Sequence, residues 1–569
     1  MKPLYLTEKD GRKRQRWNHV YYVALILILL LSLWVRGAFP ILAIGDAGHD
    51  DLLFIRMAAS IGAGNWLGDY NNLTHAKGAA YPLFLLANHL TGLPVKFSEH
   101  LLYLLAALFL STAIGKLYSN RWATFASLVL LAFIPTAWNP ESGGRIVREG
   151  LYVSLSLFLI AFATHCYVLS RSVSVAQELR EKRLFLVLLG FTAGVYWLTR
   201  EEGIWLLPSL IIFCLYWFWS RRPLWRDWRG TALFVALPLL PALIIIGTVN
   251  SLNYYHYGVF RNNDFRSADF QAAYGALSRV KQDQWQRYVV FPKDARERAY
   301  GFSPAVKELQ PYFEGAAGEF WRHAGCTQTG IKPCPEILSG WFMWALRNAV
   351  ADAGYYRHAE AASSFYRRLA AEVNSACDQH PGECMPDRQS MIPPWRGHFL
   401  IDTGHASWDV FRKLVTLGGA PVGVGASSGK PEHRALFAMV TNGPLASPDP
   451  SIGDICQPVA LSSRRDRIRY QLAEHLAKAE KVITTVGVPI ALITWLFWIS
   501  IAVRRRRLDA GLVAASALVA AMGSRVALLG FLEATSIPSN NMLYLFPVVP
   551  LTLALVPTIL FGIYASIKK

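Results

Sequence analysis

Ten apolar runs, each about 15–25 residues long, limit how this chain can fold more than any other feature. They cover Val20 to Phe39 and residues 98–116, 122–138, 150–168, 184–199, 203–220, 231–249, 482–503, 510–532 and 542–566. A run of that length crosses a bilayer as a helix, because lipid offers the backbone no hydrogen-bond partner. Composition agrees: 53% of residues are hydrophobic and 17% charged, with mean hydropathy +0.26. Soluble domains carry about 25% charged residues. These values exclude a disordered or collagen-like chain and a purely soluble enzyme. The expected fold class is an α-helical polytopic membrane protein of about ten transmembrane helices.

Basic residues set the expected sidedness. The formal charge is +18, from 57 Lys+Arg against 39 Asp+Glu. No nucleic-acid recognition motif accompanies it, and the charge collects between apolar runs, as the positive-inside rule requires. One cluster precedes the first run (Lys9, Arg12, Lys13, Arg14, Arg16). Others are Arg171, Arg180, Lys182 and Arg183; Arg221, Arg222, Arg226 and Arg229; Arg504 to Arg507; and Lys568 and Lys569. The first run is long and no A-x-A site follows it, so it reads as a retained helix rather than a signal peptide. Ten crossings put every cluster in the cytoplasm. A crossing by 80–94 would invert the later loops, so that segment is expected to be re-entrant or interfacial.

Three parts follow: an N-terminal transmembrane module at 1–249 with a first outer loop at 40–79, an extracytoplasmic soluble domain at 250–481, and C-terminal transmembrane helices at 482–569. The soluble domain holds no span-length apolar run. Phe365, Leu369 and Val373 recur at helical spacing and predict a helix over 358–377. Five of the seven cysteines fall in this domain. Cys326 with Cys334, and Cys377 with Cys384, are expected to form two local disulfides in an oxidising compartment. Zinc is the competing reading, but C-x2-C spacing is absent. Cys456 is left over. Cys166 and Cys214 lie in spans and read as packing residues.

Charged clusters recur on the outward half of the membrane. The first outer loop carries Asp46, His49, Asp50 and Asp51, then the amphipathic stretch LLFIRMAASI. Those carboxylates could cap that helix, or one could be a general base at a membrane-facing cavity. Arg200, Glu201 and Glu202 occupy a hairpin tip. Glu141, Arg145, Arg148 and Glu149 occupy another, and Arg525 interrupts an apolar run with Glu533 eight positions on. Structural ion pairing explains each cluster singly. Their common level fits a wet cavity, since a charge at bilayer depth costs about 2.5–3.5 kcal/mol on insertion scales. Such a cavity suits a lipid-linked phosphate. Its head group would face Lys77, Arg145, Arg148 or Arg200, which would stabilise the departing phosphate while a carboxylate deprotonates an acceptor hydroxyl.

The first outer loop resembles that of the GT-C superfamily of polyprenyl-phosphate-sugar-dependent membrane glycosyltransferases, nearest to lipid A aminoarabinose transferases and protein O-mannosyltransferases. Asp50-Asp51 matches their acidic pair, Gly64-Asn65-Trp66 a G-x-W element, and Lys77 through Pro82-Leu83 a Lys-Pro-Pro-Leu-like element. The second acidic residue is Asp rather than Glu, and GAAY separates Lys77 from Pro82. The resemblance implies that Asp50 is the base, Asp51 its partner, and that Lys77 faces the donor phosphate. His49, Glu149, Glu201, Glu202 and Arg525 would support them. The implied activity is transfer of a sugar from a polyprenyl-phosphate carrier to a glycan, lipid or protein hydroxyl, at the periplasmic face of a bacterial inner membrane.

This chemistry needs no nucleotide. A divalent cation, Mg or Mn, held by Asp50, Asp51 and His75 is the weaker alternative. GVGASSGK, ending at Lys430, imitates a phosphate loop, but Val424 and Pro431 break the pattern. Asn72-Leu73-Thr74 is a formal glycosylation sequon. Two further classes compete: another lipid-carrier enzyme, such as an O-antigen ligase or polymerase, and a non-enzymatic lipid-glycan transporter or flippase. Ligases usually lack the early acidic pair. Transporters often show internal repeats, and none is visible here.

Overall fold

The computed structural model describes residues 8–169, 174–200, 202–221, 227–332, 336–447 and 463–567. Arg171, Glu201, Arg222, Arg226, Cys334, Cys456, Lys568 and Lys569 lie outside the described residues.

The chain is almost entirely helical. The membrane part starts with α1 (Glu8–Arg36), followed by α2 (Asp51–Gly62), α3 (Ala80–Thr91), α4 (Val95–Tyr118) and α5 (Arg121–Ala132). Then come α6 (Glu149–Ala163), α7 (Val175–Thr199), α8 (Leu207–Ser220) and α9 (Trp228–Tyr257). Smaller helices follow: α10 (Ala268–Arg279), α11 (Lys293–Phe302), α12 (Pro304–Glu308), α13 (Gln310–Glu314), α14 (Ala316–Thr329), α15 (Ser339–Asp352) and α16 (Ala359–Gln379). Next are α17 (Phe399–Thr416) and α18 (Pro431–Thr441). The chain closes with α19 (Arg464–Arg505), α20 (Ala510–Thr535), α21 (Met542–Leu545) and α22 (Val549–Ile567).

Among the described residues, 10 helices are long and apolar enough to cross a membrane, and they fall on the ten apolar runs. This is a polytopic α-helical membrane protein with a large soluble domain. The connections alternate. By the order of the long helices, Arg180, Lys182, Arg183, Arg221 and Arg504 to Arg507 fall at one end, here the basic face, and the described polar segments 37–79 and 258–447 follow from the other, here the domain face. Helix α3 accounts for the segment expected to be re-entrant or interfacial. Its 12 residues rise only about 18 Å, short of the roughly 30 Å hydrocarbon core. It stops at Gly92, whose φ of 72° is left-handed.

The segment between α9 and α19 divides into two parts. Residues from Phe265 to Cys384 close a core of their own, in which Phe365, Leu369 and Val373 of α16 are buried. Residues of α17 and α18 join the membrane core instead, through Val410, Leu414, Val415, Phe437 and Val440. Helix α17 crosses α20 so closely that a Cβ on Gly530 would lie 2.1 Å from the Ser407 hydroxyl. Its other face turns Leu400, Ile401 and Trp408 outward at 70%, 64% and 62% exposure. The expectation of one soluble unit over 250–481 misses this, because α17 is amphipathic and too short to register as a span.

Cys377 and Cys384 form the expected disulfide. Cys326 is also disulfide-bonded. Cys166 and Cys214 are free.

Candidate active site

Segment 41–45 fixes the acidic loop. Leu42 N–H donates to the Gly144 carbonyl (3.0 Å), and Ile41 N–H to that of Pro444 (2.9 Å). Gly45 N–H donates to Ser428 O (3.1 Å), while Ser428 N–H donates to Ala43 O (2.9 Å). The apparent phosphate loop is thus a backbone clamp. A Cβ on Gly429, whose φ is +91°, would meet the Gly45 Cα at 2.5 Å, so the two chains approach as only glycine allows.

Asp50 stands at the N-cap position of α2 but makes no side-chain cap bond. Its Oδ1 accepts from Lys77 Nζ at 2.7 Å instead. The helix-cap reading therefore fails, and the carboxylate is free of backbone duty. Half of the Asp50 side chain is accessible (50%), although it lies deep among protein atoms, so it lines a recess open to solvent. Burial pushes its carboxyl up. Lys77, Arg145 and Arg148 outweigh that and hold it down at about 2. Asp51 is fully buried and takes both arms of Arg145, at 3.1 Å from Nε and 2.6 Å from Nη2. Glu141 holds the third guanidinium nitrogen at 3.1 Å. Burial lowers the Arg145 guanidinium; Asp51, Glu141 and Asp50 outweigh it and raise it above its ordinary value.

Lys77 is placed from the soluble domain. Arg347 Nε donates to Asn72 O (2.7 Å) and Nη2 to Thr74 O (3.0 Å), while its Nη1 pairs with Asp264 (2.8 Å). Asp264 N–H donates to His75 O at 2.9 Å. A Cβ on Gly78 would lie 1.9 Å from Leu198 O, so the residue after Lys77 rests against the end of α7. The Lys77 ammonium sits 5.3 Å from the Trp344 ring centre. His49 packs edge-on between Trp321 and Trp344, 5.3 and 4.9 Å between centroids, and burial lowers its pKa.

Behind this recess lies a buried network. Arg200 is 2% exposed, paired with Glu149 and with Glu202 (3.3 Å), and lies over the Tyr544 ring. Arg525 reaches Glu202 at 3.3 Å and donates to Tyr544 O from Nη2 at 2.7 Å. Burial pushes Glu202 up, and Arg200, Arg525 and Arg148 outweigh it, holding it at about 2. Arg148 is buried too, donating to Thr199 O at 3.4 Å, and its charge acts on both Asp50 and Glu202.

The sequence-predicted residues Asp50, Asp51, Lys77, Arg145, Arg148, Glu149, Arg200, Glu202 and Arg525 thus converge, with His49 on the rim. Two differ from expectation. Arg200 is committed to carboxylates rather than open to a ligand. His75 turns away from Asp50 and Asp51: its Nδ1 lies 3.8 Å from Asp264, and burial lowers it to about 4. Among the described residues, no group of three or more His, Cys, Asp or Glu side chains could hold a metal. Sequence reasoning missed Glu99 and Lys96. Lys96 donates to the Arg145 carbonyl and to Glu99 (2.7 Å), and Glu99 accepts from Tyr81 (2.8 Å). Their signal was two charges three apart at the start of an apolar run.

No protein-family model and no curated protein matches the chain. Among solved structures it is similar to ArnT from Cupriavidus metallidurans bound to undecaprenyl phosphate, at 16% identity over 91% of this chain and 77% of that chain, TM-score 0.33. The apo state of the same protein gives 16% identity, 96% and 78%, and 0.34. The arabinosyltransferase EmbB from Mycobacterium smegmatis gives 14%, 96% and 42%, and 0.30. A likeness of this strength carries no functional argument.

Proposed function

We propose that this chain transfers a sugar from a polyprenyl-phosphate carrier to an acceptor hydroxyl, on a glycan, lipid or protein, at the domain face of the membrane. One observation carries the reading: Asp50 is an accessible carboxylate in contact with Lys77, and Arg145 and Arg148 stand close enough for their charge to act on it. In a bacterium that face would be the periplasmic side of the inner membrane.

The geometry suits direct displacement. The donor phosphate competes with Asp50 for Lys77, and Arg145 and Arg148 add positive charge behind it. When Lys77 turns to the phosphate, the Asp50 carboxyl loses its nearest cation and becomes a stronger base. Asp50 takes the acceptor proton as the hydroxyl oxygen bonds to the sugar carbon. The carbon–oxygen bond to phosphate breaks, and its electron pair leaves with the phosphate. Asp51 holds Arg145, and Arg200 with Glu149, Glu202 and Arg525 keeps the wall in place. No step here is routed through a divalent cation.

The test is transfer from a polyprenyl-phosphate sugar in reconstituted membranes. Asp50→Asn should abolish transfer and keep donor binding. Wild-type transfer by that variant would remove Asp50 from the reaction.

A further inference from the structure

A second feature of the domain face lies outside the recess. The turn after α17 and one face of α19 enclose a groove of about 390 Å³. Leu417, Pro421 and Val422 form an apolar wall; Glu474, Lys478 and Lys481 stand opposite on α19. Hydrogen bonds tie the walls at both ends. Tyr470 OH donates to Val422 O (3.0 Å), and Thr485 Oγ1 donates to Val415 O (3.2 Å).

The groove sits at the edge of the hydrocarbon. Lys481 and Arg504 are 23 positions apart on one helix, which rises about 35 Å between them, close to one bilayer core. Below the lysines, Val482, Val486 and Ile490 continue the line of Lys478 at every fourth residue, all half or more exposed. Such an exposed apolar stripe on a span-length helix is a surface suited to acyl chains. Both lysines are exposed, and among the described residues neither ammonium has an ion-pair partner.

We infer that the groove binds a glycerophospholipid of the outer leaflet, its phosphate on Lys478 and Lys481 and its head group, carrying hydrogen-bond donors, on Glu474. One net positive charge from two lysines and a glutamate matches one phosphodiester. Phosphatidylethanolamine presents an ammonium to Glu474 and phosphatidylglycerol presents hydroxyls; phosphatidylcholine has no donor to offer. The inference does not rest on glycosyl transfer.

The experiment uses the full chain in phosphatidylcholine nanodiscs doped with phosphatidylethanolamine or phosphatidylglycerol, with lipids retained on ejection counted by native mass spectrometry. Wild type should keep one donor-bearing lipid in preference to phosphatidylcholine. Lys478→Gln with Lys481→Gln should weaken that retention on the order of tenfold, about 1.4 kcal/mol. Lys478→Arg with Lys481→Arg should preserve it, which separates lost charge from lost folding. Glu474→Gln should weaken phosphatidylethanolamine more than phosphatidylglycerol. Equal retention of all three lipids, unchanged retention in the glutamine pair, lost retention in the arginine pair, or no effect of Glu474→Gln on either lipid overturns the assignment. So does displacement of the retained lipid by polyprenyl phosphate.

Discussion

Asp50 and Asp51 are chain neighbours, yet they belong to two different regions. Asp50 opens on the recess, half accessible, with a single lysine in contact. Asp51 belongs to the buried wall, where carboxylates match two guanidiniums in pairs: Arg145 by Asp51 and Glu141, Arg200 by Glu149 and Glu202. The residue types are the same in both regions. Burial divides their tasks. A buried charge must be neutralised where it stands, so it holds the structure. An accessible charge can exchange its partner for a ligand, so it can do chemistry.

Asp50→Asn cuts at the recess side of that comparison and should have the largest effect. General-base help contributes 10²–10⁴-fold, so turnover should fall by about that much, while Tm moves little because the side chain is half hydrated. Loss of folding with retained specific activity would reverse the assignment of the two regions.

Asp51→Asn cuts at the wall. It leaves Arg145 without its bidentate partner in a dry environment, a change that typically costs about 3–5 kcal/mol. The expected readout is a lowered Tm and poor recovery from the membrane. A stable protein that has lost only transfer would move Asp51 into the recess.

The disulfide between Cys377 and Cys384 lies in neither region and serves as a control. Closing so short a loop contributes about 2 kcal/mol. Replacing both cysteines by alanine should lower the Tm of the soluble domain and leave donor binding unchanged.

Proton linkage sharpens the same comparison. Asp50 has a folded pKa of about 2, below its ordinary 3.8; its contribution to stability, kept small by solvent screening, is present above about pH 4 and lost as pH falls through 2. Lys77→Met removes the main cation, and the acid limb of the turnover profile should rise by about one unit or more. His75 behaves differently. It is buried neutral with a folded pKa of about 4 against an ordinary 6.5, so stability should decline as pH drops from 6.5 towards 4. His75→Leu should flatten that slope in a Tm series. An unchanged slope would assign the acid lability elsewhere.

Much of the fold was legible in the chain. The ten spans, the short α3 and helix α16 follow from apolar length and period, which are local properties. The charged residues that the fold brings together also stood out in the chain, because charge is rare among apolar runs and each cluster marks itself. What escaped were residues whose roles depend on distant partners: Lys96 and Glu99 under Arg145, Arg347 and Asp264 holding the Lys77 loop, and the 427–446 segment clamping residues 41–45.

Sequence by itself therefore determined which segments are long and apolar enough to cross a membrane and which charged residues interrupt or flank them. A bilayer reads each segment by its own length and polarity, independent of the others. Only the tertiary structure decided that Asp50 is reachable while Asp51 is not, that Arg200 is matched rather than open, and that α17 lies on the membrane bundle. Accessibility is a property of everything packed around a side chain, and here those neighbours come from positions up to several hundred residues away.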